Sequence, residues 1–298
     1  MNTKAILLIL VASLLESVSE AQTQKEMTAK QITTRDNQVE INYFQQGAGD
    51  TTLLFLHGWC IDAAYWTNQL EWFSKTHQVI AFDLPGFGRS KAQRTDWTIE
   101  EYALDVAALM DTLNLKNVVV VAHSMAGEIM LQTAMTNNPR IVGIVGVDNF
   151  KMIDVELTPQ QMKQMTDFLP LLEKDFKNSA PLYADLMLFH PETPTEVKER
   201  VKADFANSDP VIGYGTILTQ MQYASADAQR LEQLNYKLYL INSDGFPTND
   251  TGLKNHCKNS FQVETIYAAG HYPMIEKPTE FNGALEKVLA DMKLADAK

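Results

Sequence analysis

The chain has 298 residues, 45% hydrophobic and 21% charged, an ordinary globular composition that excludes collagenous, low-complexity and disordered classes. Asp and Glu number 37 against 25 Lys and Arg, a formal charge of -12, so the averaged field repels phosphate backbones and anionic lipid and speaks against a nucleic-acid partner. Cys60 and Cys257 are the two cysteines, too few for a disulfide scaffold, and the length suits one core with an insertion better than two independent domains.

At the N-terminus MNTK precedes the apolar run AILLILVASLL, and Ser19-Glu20-Ala21 places small residues where a signal peptidase reads. Residues 1–21 are therefore expected to be a secretory signal peptide, with the mature chain secreted or periplasmic. The run falls short of the ~20 apolar residues that cross a bilayer, and no later stretch reaches that length, so no stable membrane anchor is expected. Gln22–Lys30 reads as a polar leader.

Ile32–Thr34 and Val39–Phe44 look like an antiparallel pair joined by the turn-forming RDN. Thr52–Leu56 is a continuous apolar strand, followed by HGWCID and a helix near Tyr65–Phe73; Gln78–Phe82 is another, ending in the tight loop DLPGFGRS. Thr98 and Glu101 are spaced as a capping box for a helix to about Leu113. Asn117–Val121 is the most apolar strand, AHSMAG turns the chain into a helix to about Thr136, and Ile141–Val147 follows. Doubly apolar strands alternating with helices predict an α/β fold around a mostly parallel sheet covered on both faces. From Lys151 to about Leu234 the rhythm becomes helical, with Met162, Met165, Phe168, Leu169 and Leu172 in one stripe. Lys237–Ile241, Val263–Tyr267 and a helix from Pro278 to about Lys293 then resume the alternation. The division is thus 22–150 and 235–298 for the core, and 151–234 for an inserted helical cap.

The chemistry concentrates at three places. A strand, sharp turn and helix at VVAHSMAGE would lift Ser124 above the sheet edge in a strained backbone, with the helix amides facing any charge that develops there. The backbone N–H of Met125 is one candidate oxyanion donor, and that of Trp59, after the turn at Gly58, is the second. AAGHYPMIEKP sets His271 just past a strand, with Gly270 permitting the bend, as a general base. His57 is read as ordering the oxyanion loop, and Asp83 as tying down DLPGFG. His123 is read as filler pointing away from the pocket. His77, His190 and His256 have no partners at metal-ligand spacing, so no metal is expected.

Together HGW, DLPGFGRS, AHSMAG and GHYPMIEKP resemble the α/β-hydrolase superfamily, in the branch with a helical cap, over essentially the whole mature chain. The resemblance implies the α/β-hydrolase fold, a Ser…acid…His order and no cofactor. The elbow departs from it: G-x-S-x-G is usual, and Ala122 and Ala126 stand at both glycine positions. For the acid it leaves two main candidates, Asp244 after KLYLI and Asp148 at the end of IVGIVGVDNF, with Asp250 behind them. Cys60 and Phe150 are the candidate pocket-lining residues, and Cys60 beside the site and Cys257 near the far sheet edge are expected to be free. Serine at 124 excludes the aspartate-dependent dehalogenase and epoxide hydrolase chemistries. The leading expectation is hydrolysis of small carboxylic esters; carbon–carbon bond hydrolysis, with Arg200 or Arg230 as cap cations, lactone hydrolysis, perhydrolysis and a degenerate binding module are the alternatives. A hinge, if the cap opens, is expected between Pro181 and Pro194.

Overall fold

A computed structural model describes residues 28–292, and its strands fall on the apolar runs named above. The expected signal peptide, residues 1–21, lies outside the described residues. Strands β1 (Lys30–Thr34) and β2 (Val39–Gln46) form the antiparallel pair. They are followed by β3 (Thr52–Leu56), β4 (Gln78–Phe82), the short β5 (Lys91–Ala92), β6 (Val118–His123), β7 (Ile141–Val147), β8 (Leu238–Ser243) and β9 (Phe261–Ile266). The sheet order is β1-β2-β4-β3-β6-β7-β8-β9, with β5 paired to β2. Every pairing from β4–β3 to β8–β9 is parallel. All of β3 and β6 is buried, as a parallel sheet covered on both faces requires.

A 3-10 turn at Ala63–Trp66 leads into α1 (Thr67–Phe73); α2 (Ile99–Thr112) and α3 (Ala126–Met135) follow. Thr98 caps α2 as its sequence spacing predicts, its Oγ1 accepting from Glu101 N at 3.2 Å. The reciprocal half of the box is replaced, because the Glu101 carboxylate instead accepts from Arg35 at 2.7 Å and ties α2 to the β1–β2 turn.

Between β7 and β8 lie α4 (Pro159–Lys174), α5 (Phe176–Met187), α6 (Thr195–Asn207), α7 (Pro210–Ala224) and α8 (Asp227–Leu231). Short α9 (Asp250–His256) and α10 (Pro273–Glu276) precede the last helix, α11 (Pro278–Asp291). The helical insertion is fastened to the core at several points. Trp59 Nε1 donates to Gly213 O at 2.8 Å, and the Trp59 ring meets Phe205 and Phe176 edge-on at 4.9 and 5.6 Å. Tyr65 donates to Asp204 at 2.6 Å, Thr219 to Trp97 O at 2.7 Å, and Tyr223 to Gln132 at 2.7 Å. The Pro181–Pro194 stretch is itself held to the core, since His271 N donates to Leu188 O at 2.8 Å.

Candidate active site

Ser124 stands between the end of β6 and the start of α3 with φ 53, a left-handed backbone that costs an ordinary residue about 1–3 kcal/mol. Two hydrogen bonds brace it: Ser124 N to Val147 O at 2.9 Å, and Gly127 N to Ser124 O at 2.7 Å. The side chain keeps partial access to solvent, although its neighbours Ala122, His123, Met125 and Ala126 are buried.

His271, in the turn after β9, reaches Ser124 Oγ through Nε2 at 2.7 Å and Asp148 Oδ2 through Nδ1 at 2.6 Å. A carboxylate accepts only, so the ring carries its proton on Nδ1 and turns the Nε2 lone pair to the serine hydroxyl. Asp148 follows β7 directly at φ 51, and Phe150 two residues later has φ 52. This twice-strained turn is held by Asn242, which accepts from Asn149 N at 3.3 Å and donates to Asn149 O at 3.1 Å. The other carboxylate oxygen, Oδ1, accepts from Ser243 N at 2.8 Å and Ser243 Oγ at 2.7 Å, and pairs with the Lys151 ammonium. Burial pushes the Asp148 carboxyl up, but the hydrogen bonds and charges of His271 and Lys151 outweigh it and hold the group below the usual carboxylate range.

Of the two acid candidates, then, the structure brings Asp148 to His271. Asp244 is exposed and accepts from Ala269 N at 3.4 Å, supporting the turn that leads to His271. Asp250 opens α9. The reason is local: the left-handed backbone at 148 carries the aspartate toward the imidazole, while β8 extends to Ser243 and sends the next residue outward.

His123 does not point away from the site as expected. Its Nε2 lies 2.7 Å from His271 O, and its ring centroid is 4.7 Å from that of His271. Burial, reinforced by His271, pushes it down to about 3, so it is a neutral ring behind the His271 backbone. His57 accepts from Leu84 N through Nε2 at 2.8 Å and, with its proton on Nδ1, reaches Gly58 O at 2.8 Å; it therefore links the HGW and DLPGFG loops. Asp83 accepts from Ala63 N, Asn42 Nδ2 and Arg89 N, each at 2.9 Å. Glu276 cradles the His271 turn by accepting from Gly270 N at 2.8 Å and Tyr272 N at 3.0 Å.

Both elbow alanines are fully buried, and the glycines that make room at the turn are Gly127, one position on, and Gly146 on the neighbouring strand. A Cβ on Gly127 would sit 2.2 Å from Asn149 Nδ2, and one on Gly146 would sit 2.2 Å from Asn149 Oδ1. Gly146 is the β7 partner of Ala122, so the space beside the elbow is cleared on the neighbouring strand and filled by the Asn149 amide, which donates to Ala122 O at 3.0 Å. Gly58 has its own requirement: a Cβ there would be 2.7 Å from His123 Nδ1 and 3.1 Å from Ser124 Cβ.

The backbone N–H groups of Trp59 and Met125 enter no hydrogen bond among the described residues. Cys60 is buried with φ 56 and borders a cleft of about 320 Å³ with Ile61, Asp62 and Phe87. Burial pushes its thiol far up and keeps it protonated. Phe150 packs into the main apolar core. Both cysteines are free. The arginines considered as cap cations are engaged elsewhere: Arg200 lies over the Tyr65 ring at 4.0 Å, and Arg230 lies over Tyr223 at 3.4 Å. Among the described residues no cluster of three or more His, Cys, Asp or Glu is arranged to hold a metal ion.

Lys151, Ser243, the Asn149–Asn242 pair and Glu276 are the supporting residues that the sequence pattern does not single out. Glu276 and Asn149 carried a positional signal only, lying inside GHYPMIEKP and IVGIVGVDNF.

Residues 51–278 match the family model described as the alpha/beta hydrolase fold, and the chain belongs to that family. It is 34% identical over 169 residues to a non-heme chloroperoxidase of Streptomyces lividans, covering 55% of this chain and 58% of that protein. Over 108 residues it is 35% identical to the (E)-2-((N-methylformamido)methylene)succinate hydrolase of Acinetobacter baylyi, covering 36% of this chain and 40% of that one. A bifunctional esterase/perhydrolase of Acinetobacter calcoaceticus is 31% identical, with 52% and 57% covered. The chain thus spans only part of the length of these curated relatives. Among solved structures, a thermophilic esterase from Thermogutta terrifontis with malate bound superimposes with a TM-score of 0.74 at 21% identity, over 89% of this chain and 99% of the other. Bromoperoxidase from Bacillus anthracis gives 0.73 at 21% identity, with 88% and 100% covered. These likenesses establish a shared fold.

Proposed function

We propose that the protein is a serine hydrolase that cleaves small carboxylic esters through an acyl-enzyme. The observation that carries this reading is the unbroken line from Ser124 Oγ to His271 Nε2 at 2.7 Å and from His271 Nδ1 to Asp148 Oδ2 at 2.6 Å. In the proposed reaction His271 takes the hydroxyl proton as Ser124 attacks the ester carbonyl. Asp148 fixes the ring tautomer and stabilises the imidazolium, and the Trp59 and Met125 N–H groups receive the oxyanion. His271 then protonates the departing alkoxide. Water, deprotonated by the same ring, cleaves the acyl-serine and releases the acid. The chemistry requires no cofactor.

Carboxylesterase activity is the specific form of the proposal, and its substrates are small and uncharged or weakly charged, given the acidic surface. The partial likeness to an esterase/perhydrolase favours a second outcome for the same acyl-enzyme, transfer to hydrogen peroxide in place of water. Secretion belongs to the proposal as well: N-terminal sequencing of protein exported by the native host should begin at Gln22. The test of function is p-nitrophenyl butyrate hydrolysis by the wild type beside Ser124→Ala. Turnover that falls by at least about a thousandfold in the variant supports it; equal rates overturn it.

A further inference from the structure

Nothing in the sequence pattern marks Lys151, yet its ammonium lies against the candidate triad acid. Nζ pairs with Asp148 Oδ1 and donates to Ser243 O and Ser243 Oγ, each at 3.0 Å. The three N–H bonds of the ammonium therefore all have acceptors within reach. Its side chain is 8% exposed and that of Asp148 5%. Asp148 divides its oxygens accordingly: Oδ2 faces His271, while Oδ1 is held by Ser243 and Lys151.

A buried carboxylate with an imidazole as its only possible counter-ion strongly favours the imidazolium, because proton uptake by the ring creates the missing positive charge. Here a counter-charge is already in place. We propose that Lys151 is a positioning residue that acts through Asp148: it turns Oδ2 toward His271 and neutralises the carboxylate in advance, so that His271 stays an unprotonated base to lower pH than a lone aspartate would allow. This rests on the serine-hydrolase reading of the site.

The other ionisable groups around the ring do not change between the variants compared below. The His123 ring lies 4.7 Å away and the Tyr272 ring 5.3 Å away. Burial keeps both neutral, pushing His123 down to about 3 and Tyr272 well above its ordinary value. Glu276 accepts from the N–H groups on either side of His271, and Asp244 from Ala269 N.

The experiment is the pH profile of kcat/KM for p-nitrophenyl butyrate in the wild type, Lys151→Gln, Lys151→Arg and Ser243→Ala. Glutamine keeps an N–H donor and removes the charge, so the acid limb moves to higher pH by about one unit, the size of effect a neighbouring unit charge exerts in partly screened surroundings. Lys151→Arg and Ser243→Ala retain the charge, and their limbs coincide with the wild type's even where the plateau falls. A Lys151→Gln limb that coincides with the wild type's, or moves to lower pH, overturns the proposal. If Lys151→Gln fails to fold, a displaced limb in Lys151→Arg overturns it and a coincident one supports it. Should the wild type hydrolyse no ester, NMR titration of the His271 ring in the wild type and Lys151→Gln makes the same comparison without turnover. The failure of the ester reading and the failure of this one are then separately visible.

Discussion

Replacing Gly127 by alanine adds a single methyl at the point where the elbow has the least room. The new Cβ would lie 2.2 Å from Asn149 Nδ2 and 2.7 Å from Asn149 Cγ, whereas non-bonded atoms settle near ~3.5–4 Å. The Asn149 side chain must withdraw by more than about 1 Å, and its other end already occupies the space a Cβ on Gly146 would need. Withdrawal breaks the 3.0 Å bond to Ala122 O. Overpacking costs about 1–3 kcal/mol, and leaving the buried Asn149 amide without its acceptor costs about 1–3 kcal/mol more. Alanine returns at most about 1 kcal/mol of helix propensity. The expected net loss is about 1–6 kcal/mol, centred on ~3.5, read from the urea midpoint by tryptophan fluorescence at unchanged slope. Gly283→Ala in α11 is the control: apart from its own stretch of helix, no atom lies within 4 Å of a Cβ there, so it gains about 0.4–1 kcal/mol. A Gly127→Ala protein as stable as the wild type would refute the reasoning.

Three further outcomes follow from the same geometry. Asp148→Asn should lower kcat for an ester by about 10³–10⁴, as loss of the correct histidine tautomer does elsewhere, while Asp244→Asn stays within about threefold; a larger loss in Asp244→Asn would reverse the assignment. Burial pushes Asp227 up to about 7 against the opposing charge of Arg230, and pushes Glu128 well above its usual range, with Asp227 adding to the rise. Raised folded values mean stability that is full below the unfolded value near ~4 and is lost as pH climbs toward ~7; the urea midpoint should therefore be higher at pH 5 than at pH 8, a difference that Glu128→Gln with Asp227→Asn removes. Burial also raises both thiols, Cys257 to about 11, so iodoacetamide at pH 7.5 should leave the folded protein unlabelled and modify both cysteines in urea, and rapid labelling of native Cys60 would contradict its burial.

The parallel sheet was readable because its strands are apolar on both faces, and β6, VVVVAH, is the clearest case. Ser124 and His271 were readable because each sits in a turn that only a short motif supplies. The choice between Asp148 and Asp244 was not, since both follow strands and the deciding quantity is a backbone φ of 51 at Asp148, which no residue pattern specifies for aspartate. Ala122 and Ala126 looked like a weakening of the elbow. In the fold, the space cleared by glycine lies at Gly127 and on the adjacent strand at Gly146, so the compensation is visible only once β6 and β7 are in register. Ser243 was illegible for a related reason: its meeting with Asp148 and Lys151 depends on the β7–β8 pairing, and it lies 92 positions from Lys151. Lys151 stands only three residues from Asp148, but what it does there is visible only once Ser243 is in place. His123 was misjudged because period-two alternation fails at the last residue of a strand entering a strained turn.

The most direct measurement is fluorophosphonate labelling of the folded protein followed by peptide mass mapping. One adduct, on Ser124, formed by the wild type and abolished in His271→Ala, is the result expected if Ser124 is an activated nucleophile. No adduct in the wild type, or an adduct on another residue, would contradict it.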